Sequence, residues 1–252
     1  MQQLSEEQLK RYRRQLILKD IGEEGQKKLL ETKVLIIGTG GLGSPVSLYL
    51  AAAGIGKLGL VDCDCVDLSN LQRQIIHNID TVGIPKVDSA KTVLSRLNKD
   101  VCVEIYNCLI DEENAESIIR HYDIIVNAVD NSLTRYIVNK VCCKLKRPLV
   151  EGAIFNFEGY VTTIIPGETA CYECIYEYEE NDEKLEIGVI GALPGVIGSL
   201  QAMEVIKYSL NIGKLLKNEL LYYNALNASF KRVKLERNVE CKVCGTVSCK
   251  KN

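Results

Sequence analysis

The sequence has no tryptophan, three phenylalanines, two methionines and only two histidines among its 252 residues. The histidines, His77 and His121, leave little for imidazole chemistry. Neither has a serine or cysteine beside it in the pattern of a nucleophile and its base, so a structural role is expected for both. No apolar run reaches the ~20 residues of a membrane-spanning helix. The N-terminus, MQQLSEEQLKRYRRQ, has no apolar core of the kind a secretion signal carries, and a cytoplasmic location is expected. A surplus of either charge is also missing. Lys and Arg number 31 against 33 Asp and Glu, a net charge of −2. Nothing in that balance calls for nucleic acid or an anionic membrane as partner. There is no internal repeat and no low-complexity linker, and one domain over residues 1–252 is expected.

Cysteine, by contrast, is plentiful. The count is eleven, odd and without a secretion signal, which argues against a disulfide framework and for reduced thiols or metal ligands. CYEC (171–174) and CKVC (241–244) are two CxxC turns with 66 residues between them. Thiolates at that spacing hold one ion from one turn, and two such turns complete a tetrahedral Cys₄ set. Cys171, Cys174, Cys241 and Cys244 are therefore expected to hold one structural zinc, with no position left for water. Cys249 is expected to be a free thiol in the tail. Cys63, Cys65, Cys102, Cys108, Cys142 and Cys143 fall in or beside expected core elements and read as small buried residues.

The hydrophobic pattern alternates between short apolar runs and amphipathic stretches. Strands are expected at 33–38, 57–62, 101–106, 123–130 and 148–152. Helices are expected at 4–18, 44–54, 86–98, 111–122 and 132–145. Such alternation implies right-handed crossovers and a mainly parallel, Rossmann-like sheet. After Gly152 the pattern changes. Runs at 160–166, 219–226 and 229–236 have hairpin-like spacing and are expected to continue the same sheet as antiparallel strands, with a strong helix at 195–210 among them. The acidic stretch 177–186 reads as an exposed loop.

Gly38-Thr39-Gly40-Gly41-Leu42-Gly43 joins the first strand to its helix and fits GxGxxG in the required context. Glycines at Gly38, Gly40, Gly41 and Gly43 let backbone N–H groups approach a phosphate at a helix N-terminus. Asp62 ends the next strand, where a carboxylate accepts hydrogen bonds from ribose hydroxyls. NAD is the usual ligand of this fingerprint. The residues that follow look instead like equipment for a triphosphate: Asp64, Asn70, Arg73 and Gln74 in one segment, then Lys86, then Asp130-Asn131 at the end of a later strand. Phosphoryl chemistry needs cations on the developing charge and a carboxylate for Mg²⁺. Arg73 and Lys86 are the candidate cations and Asp130 the candidate magnesium ligand, so ATP is favoured over NAD.

These pieces, in order GTGGLGS (38–44), DLSNLQRQ (67–74), Asp130-Asn131 and GVIGSLQAMEVIK (195–207), resemble the HesA/MoeB/ThiF family of E1-like adenylyltransferases. The likeness runs from RYRRQ (11–15) to CKVCG (241–245). It implies an E1-like ATP-binding fold in which Gly41 lies against the phosphates, Asp62 holds the ribose, Asn70, Arg73 and Lys86 contact ATP, and Asp130 binds Mg²⁺. It also implies a zinc on the four cysteines and a homodimer in which Arg14 reaches the partner's ATP site. From its position alone Arg14 reads as part of a solvated helix face. The implied reaction is adenylation of the C-terminal glycine carboxylate of a small ubiquitin-like sulfur-carrier protein with a Gly-Gly end, releasing pyrophosphate. The acyl-adenylate would then pass to a separate sulfur donor. The molybdopterin branch is favoured, with the thiamine-thiazole carrier as alternative and an NAD-dependent oxidoreductase as a more distant one. Several relatives carry a cysteine in the loop before the GVIGSLQAMEVIK helix; here NDEKLEIGVIGALPG has none, which speaks against covalent carriage through that loop.

Overall fold

The structure is a computed structural model and describes residues 3–176 and 188–245. Eight strands form one sheet in the order β3-β2-β1-β4-β5-β6-β7-β8. β1 (Lys33–Ile37), β2 (Lys57–Val61), β3 (Cys102–Tyr106), β4 (Ile124–Asn127) and β5 (Leu149–Phe155) run parallel. β6 (Glu158–Ile164), β7 (Glu219–Asn224) and β8 (Ser229–Lys234) continue the same sheet antiparallel. The expected parallel-then-antiparallel sheet is what the chain forms.

Side chains alternate across the sheet with the period of two that strands impose. Val34 and Ile36 of β1, Leu58 and Leu60 of β2, and Ile124 and Val126 of β4 face one core. Over that face lie α3 (Gly22–Glu31), α4 (Gly43–Ala53), α5 (Lys86–Leu97) and α9 (Ala192–Leu210). Leu35, Ile37 and Ile125 face the other core, under α6 (Ala115–Ile119), α7 (Ser132–Leu145) and the short α8 (Tyr172–Ile175). Strands covered on both faces are apolar throughout, which is why β1 and β4 read as continuous runs. Strand order reverses between β1 and β4, and the crevice outside their carboxyl ends is where open α/β sheets bind ligands.

Three expectations are corrected. The helix expected over 4–18 is two short pieces, α1 (Glu6–Arg11) and α2 (Arg13–Leu16). It breaks at Tyr12, which is buried and hydrogen-bonded through its hydroxyl to Asp100 at 2.9 Å and to the Asn98 amide at 2.9 Å; Ile17 is exposed. The helix expected over 111–122 is only α6, because Asp111 Oδ1 accepts from the backbone of Glu113 and Asn114 and holds the preceding residues in a turn. Cys63, Cys65 and Cys102 are exposed rather than buried, whereas Cys142 and Cys143 are core residues. The acidic stretch 177–186 and Cys249 lie outside the described residues. Among those described, no helix is long and apolar enough to cross a membrane.

Candidate functional site

The glycine-rich turn leaves β1 at the switch point. Gly38 has φ 92°, and a Cβ there would stand 2.7 Å from the Ala128 carbonyl oxygen at the end of β4. A Cβ at Gly43 would overlap the Gly38 carbonyl. Only glycine closes this turn, which puts the N-terminus of α4 at the crevice. Asp62, just beyond β2, ties the turn in place: its Oδ2 accepts from Thr39 N at 2.8 Å and Thr39 Oγ1 at 3.0 Å. Its Oδ1 accepts from Asp64 N at 3.0 Å. A carboxylate has about four acceptor positions, so capacity for a ribose hydroxyl remains.

His77 supports the turn from beneath. It is buried, with Nδ1 2.9 Å from Ser89 Oγ and Nε2 3.1 Å from the Thr39 carbonyl. Burial pulls its pKa below the ordinary imidazole value. The expected structural role is the one its contacts describe.

The segment after β2 brings the cations to this turn. Lys86, at the start of α5, is buried and pairs through Nζ with Asp64 Oδ2 at 2.8 Å. Arg73 sits beside Gly41, with its Cδ 3.7 Å from where a Cβ at 41 would be, and donates to the Ser69 carbonyl at 3.2 Å. Gln74 is buried against Gly40, and its Oε1 has no hydrogen-bond partner among the described residues. Asn70 Oδ1 accepts from Asp67 N at 3.1 Å and closes the tight turn 67–70. Asp130 follows Val129, whose backbone lies against Gly38. Its side chain is exposed, with no ion pair or hydrogen bond among the described residues. Asn131 caps α7 by accepting from Thr134 N at 2.8 Å. Arg14 lies exposed on α2 without a partner among the described residues, and no contact within this chain brings it to the turn.

Cys171, Cys174, Cys241 and Cys244 form the cluster that their spacing implies, with all four sulfur atoms within 4.8 Å of one another. The separations include 3.9 Å (171–174), 3.7 Å (171–241) and 3.4 Å (174–244). A tetrahedron with Zn–S bonds of about 2.3 Å has edges of roughly 3.8 Å, so these residues fit a zinc ion. Asn139 Oδ1 accepts from Tyr172 N at 3.0 Å and fixes the first CxxC turn; Arg237 donates to the Cys244 carbonyl and fixes the second.

Behind Asp130 lies a buried polar network with no motif to announce it. Arg135 of α7 donates to the carbonyls of Gly152, at 3.0 Å, and Val129, and pairs with Glu151 of β5. Glu151 Oε2 accepts from Asn127 Nδ2 at 2.8 Å, and Gln201 Nε2 of α9 donates to the Asn127 carbonyl at 2.9 Å. The one signal available was a charged residue inside the apolar run PLVEGAIF.

A glycine turn at the switch point, an acidic residue ending the second strand and cations in the next segment define an α/β protein built to hold a nucleotide by its phosphates. The ThiF family pattern matches residues 12–243, and the chain belongs to that family. It is 44% identical over 250 residues to the sulfur carrier protein adenylyltransferase of Thermus thermophilus, covering 96% of this chain and 92% of that one. It is 43% identical over 249 residues to the molybdopterin-synthase adenylyltransferase of Escherichia coli, covering 97% and 100%. With the SAMP-activating enzyme E1 of Haloferax volcanii it shares 43% over 242 residues, covering 94% and 89%. The crystal structure of E. coli MccB with ATP has the same fold, with a TM-score of 0.84 and 28% identity over 94% of this chain and 75% of that one.

Proposed function

We propose that this chain adenylates the C-terminal glycine carboxylate of a small ubiquitin-like sulfur-carrier protein, using ATP and releasing pyrophosphate, in the synthesis of the molybdenum cofactor. The observation that supports the reading is that Arg73 lies against Gly41, Lys86 pairs with Asp64 beside Asp62, and Asp130 follows Val129, whose backbone lies against Gly38. An NAD-dependent oxidoreductase would use the turn and leave those three without a task.

ATP lies along the turn with its phosphates over Gly41 and its ribose at Asp62. The carrier's Gly-Gly tail enters near the start of α9. Its carboxylate is already ionised at neutral pH and needs no general base. It attacks the α-phosphorus in line as pyrophosphate leaves. Arg73 and Lys86 offset the charge that builds on the phosphate oxygens; Lys86 is held ready by Asp64, whose exposed carboxylate is free to yield it. Asp130 is the residue that would hold Mg²⁺, which supplies charge neutralisation on the phosphates when bound. Arg14 acts in a partner subunit of a homodimer. Exposed Ile17 and Leu18 follow it in the chain, and exposed Leu68 and Ile75 flank Arg73; this is apolar surface that a second subunit would cover. With no cysteine between Cys174 and Cys241, the acyl-adenylate passes directly to a separate sulfur donor.

ATP–pyrophosphate exchange, measured with the molybdopterin carrier and the thiazole carrier in turn, tests this. Exchange that requires the intact Gly-Gly end of the molybdopterin carrier is expected. Exchange with the thiazole carrier alone would move the enzyme to that branch, and none with either would overturn the reading. Mixing Arg14→Ala subunits with Asp130→Ala subunits should restore part of the activity each lacks alone if Arg14 works across the dimer.

A further inference from the structure

Resting on the adenylation reading, we propose that the buried Arg135–Glu151 pair is a positioning device that fixes the backbone carrying Asp130. The Asp130 side chain has no anchor of its own among the described residues, so its location is set by the chain on either side of it. That chain is held unusually tightly. Arg135 donates to the carbonyl of Val129, the residue just before Asp130. Glu151 holds the Asn127 amide two residues further back. Asn131, just after Asp130, is locked as the N-cap of α7. Ala128 and Val129 in turn press on Gly38, where a Cβ would stand 2.7 Å and 3.2 Å from their backbone atoms. The glycine turn and the Asp130 loop thus share one wall.

The pair is poorly explained as a stability element. The side chains of Arg135 and Glu151 are only 8% and 0% exposed, and two charges taken out of water at such a site gain little over apolar residues of similar size. What apolar residues could not do is grip two carbonyls and a carboxylate at once. Guanidinium has five donors in a rigid fork, and lysine has a single point charge. The arrangement is that of an outer-shell support for a metal-binding carboxylate.

The test uses the full chain carrying Arg135→Met with Glu151→Leu, and separately Arg135→Lys. Three quantities are read: Mn²⁺ binding in the presence of ATP by electron paramagnetic resonance, amide hydrogen exchange over residues 128–132 without nucleotide, and pyrophosphate exchange. The paired apolar variant is expected to fold, to bind Mn²⁺ with ATP about 10–100-fold more weakly, and to lose protection at 128–132. Its kcat falls while KM for the carrier holds, and adding Asp130→Ala weakens Mn²⁺ binding no further. A folded variant with unchanged Mn²⁺ affinity and unchanged protection overturns the proposal. If the paired variant does not fold, Arg135→Lys decides by the same readings. If the wild-type chain binds no Mn²⁺ with ATP, the adenylation reading falls first. Hydrogen exchange then decides the positioning role by itself: lost protection in the variants supports it and unchanged protection overturns it.

Discussion

β4, Ile124–Asn127, is buried at every residue and β1 at every residue but Lys33, whereas β8, Ser229–Lys234, is exposed at every residue. The parallel half of the sheet is held by apolar side chains on both faces, and it carries the glycine turn, Asp62, Lys86 and Asp130 at its strand ends. The outer antiparallel half has less core to hold it, and the chain after β8 returns to the core under α7, where Cys241 and Cys244 meet Cys171 and Cys174. The candidate site residues lie on the half with the close-packed core.

Asp130→Ala should break this comparison most sharply. The side chain is exposed, so the melting temperature should hold, while pyrophosphate exchange falls by about 10²–10³-fold or more, the scale of losing one transition-state electrostatic partner. A matching loss of stability would mean that site and core are not separable. Next comes Ile36→Ala in β1, expected to cost about 2–5 kcal/mol in urea unfolding. At the four-cysteine cluster, Cys241→Ser is expected to abolish the zinc binding that the cluster's geometry fits, seen by metal analysis. A loss of about 2–4 kcal/mol would lower the melting temperature by roughly 4–16 °C, and ATP affinity should be retained. Cys241→Ser that kept its metal and its melting temperature would remove the fastening role.

Acid should probe two places separately, His77 against the glycine turn and Glu104 on β3. His77 is held below its ordinary value of 6.5, first by burial. The unfolded chain therefore takes up this proton before the folded one does. Stability is undiminished by the ring above about pH 6.5 and declines as pH falls through the folded value. Glu104 is held at about 2 against an ordinary 4.5, first by the Lys57 hydrogen bond and then by Tyr122. Its contribution is present above pH 4.5 and lost toward pH 2. Urea midpoints followed from pH 8 downward should show the first decline in wild type and not in His77→Gln. Val233→Ala on β8 and Cys63→Ser beside Asp62 should be the quietest changes, within about 0.5 kcal/mol.

Much of this was readable beforehand, for identifiable reasons. β1 and β4 announce themselves because strands buried on both faces need apolar residues without a break. The four cysteines do so because ligand spacing is fixed by the ion. α3 was missed: GEEGQKKLLE buries only Gly25, Gln26 and Leu29, too few for a visible stripe. The break at Tyr12 depends on Asn98 and Asp100, partners nearly ninety positions away that no local window sees. Cys63 and Cys65 look like core residues beside an apolar strand, but β2 ends at Val61 and the chain emerges at the rim. Burial pushes the Cys63 thiol upward, and Asp64 and Asp62 add to this, so exposure does not make it reactive. Among the candidate site residues, Arg73 lies against Gly41 and Gln74 against Gly40, Lys86 pairs with Asp64, and Asp130 follows Val129 at the turn. Arg14 is exposed, and no contact among the described residues brings it to the turn. Arg135 and Glu151 were hidden because a positioning pair has no spacing rule.

Cys171 and Cys174 precede α9, β7 and β8 in the chain, while Cys241 and Cys244 follow them. The order of synthesis therefore matters. A ribosome adding roughly 5–20 residues per second leaves the first pair of thiols waiting roughly 4–14 s for the second. A chain that stalls before Cys241 carries half a ligand set and an unfinished sheet edge. A zinc ion on this cluster would thus be captured only once translation has passed the last strand.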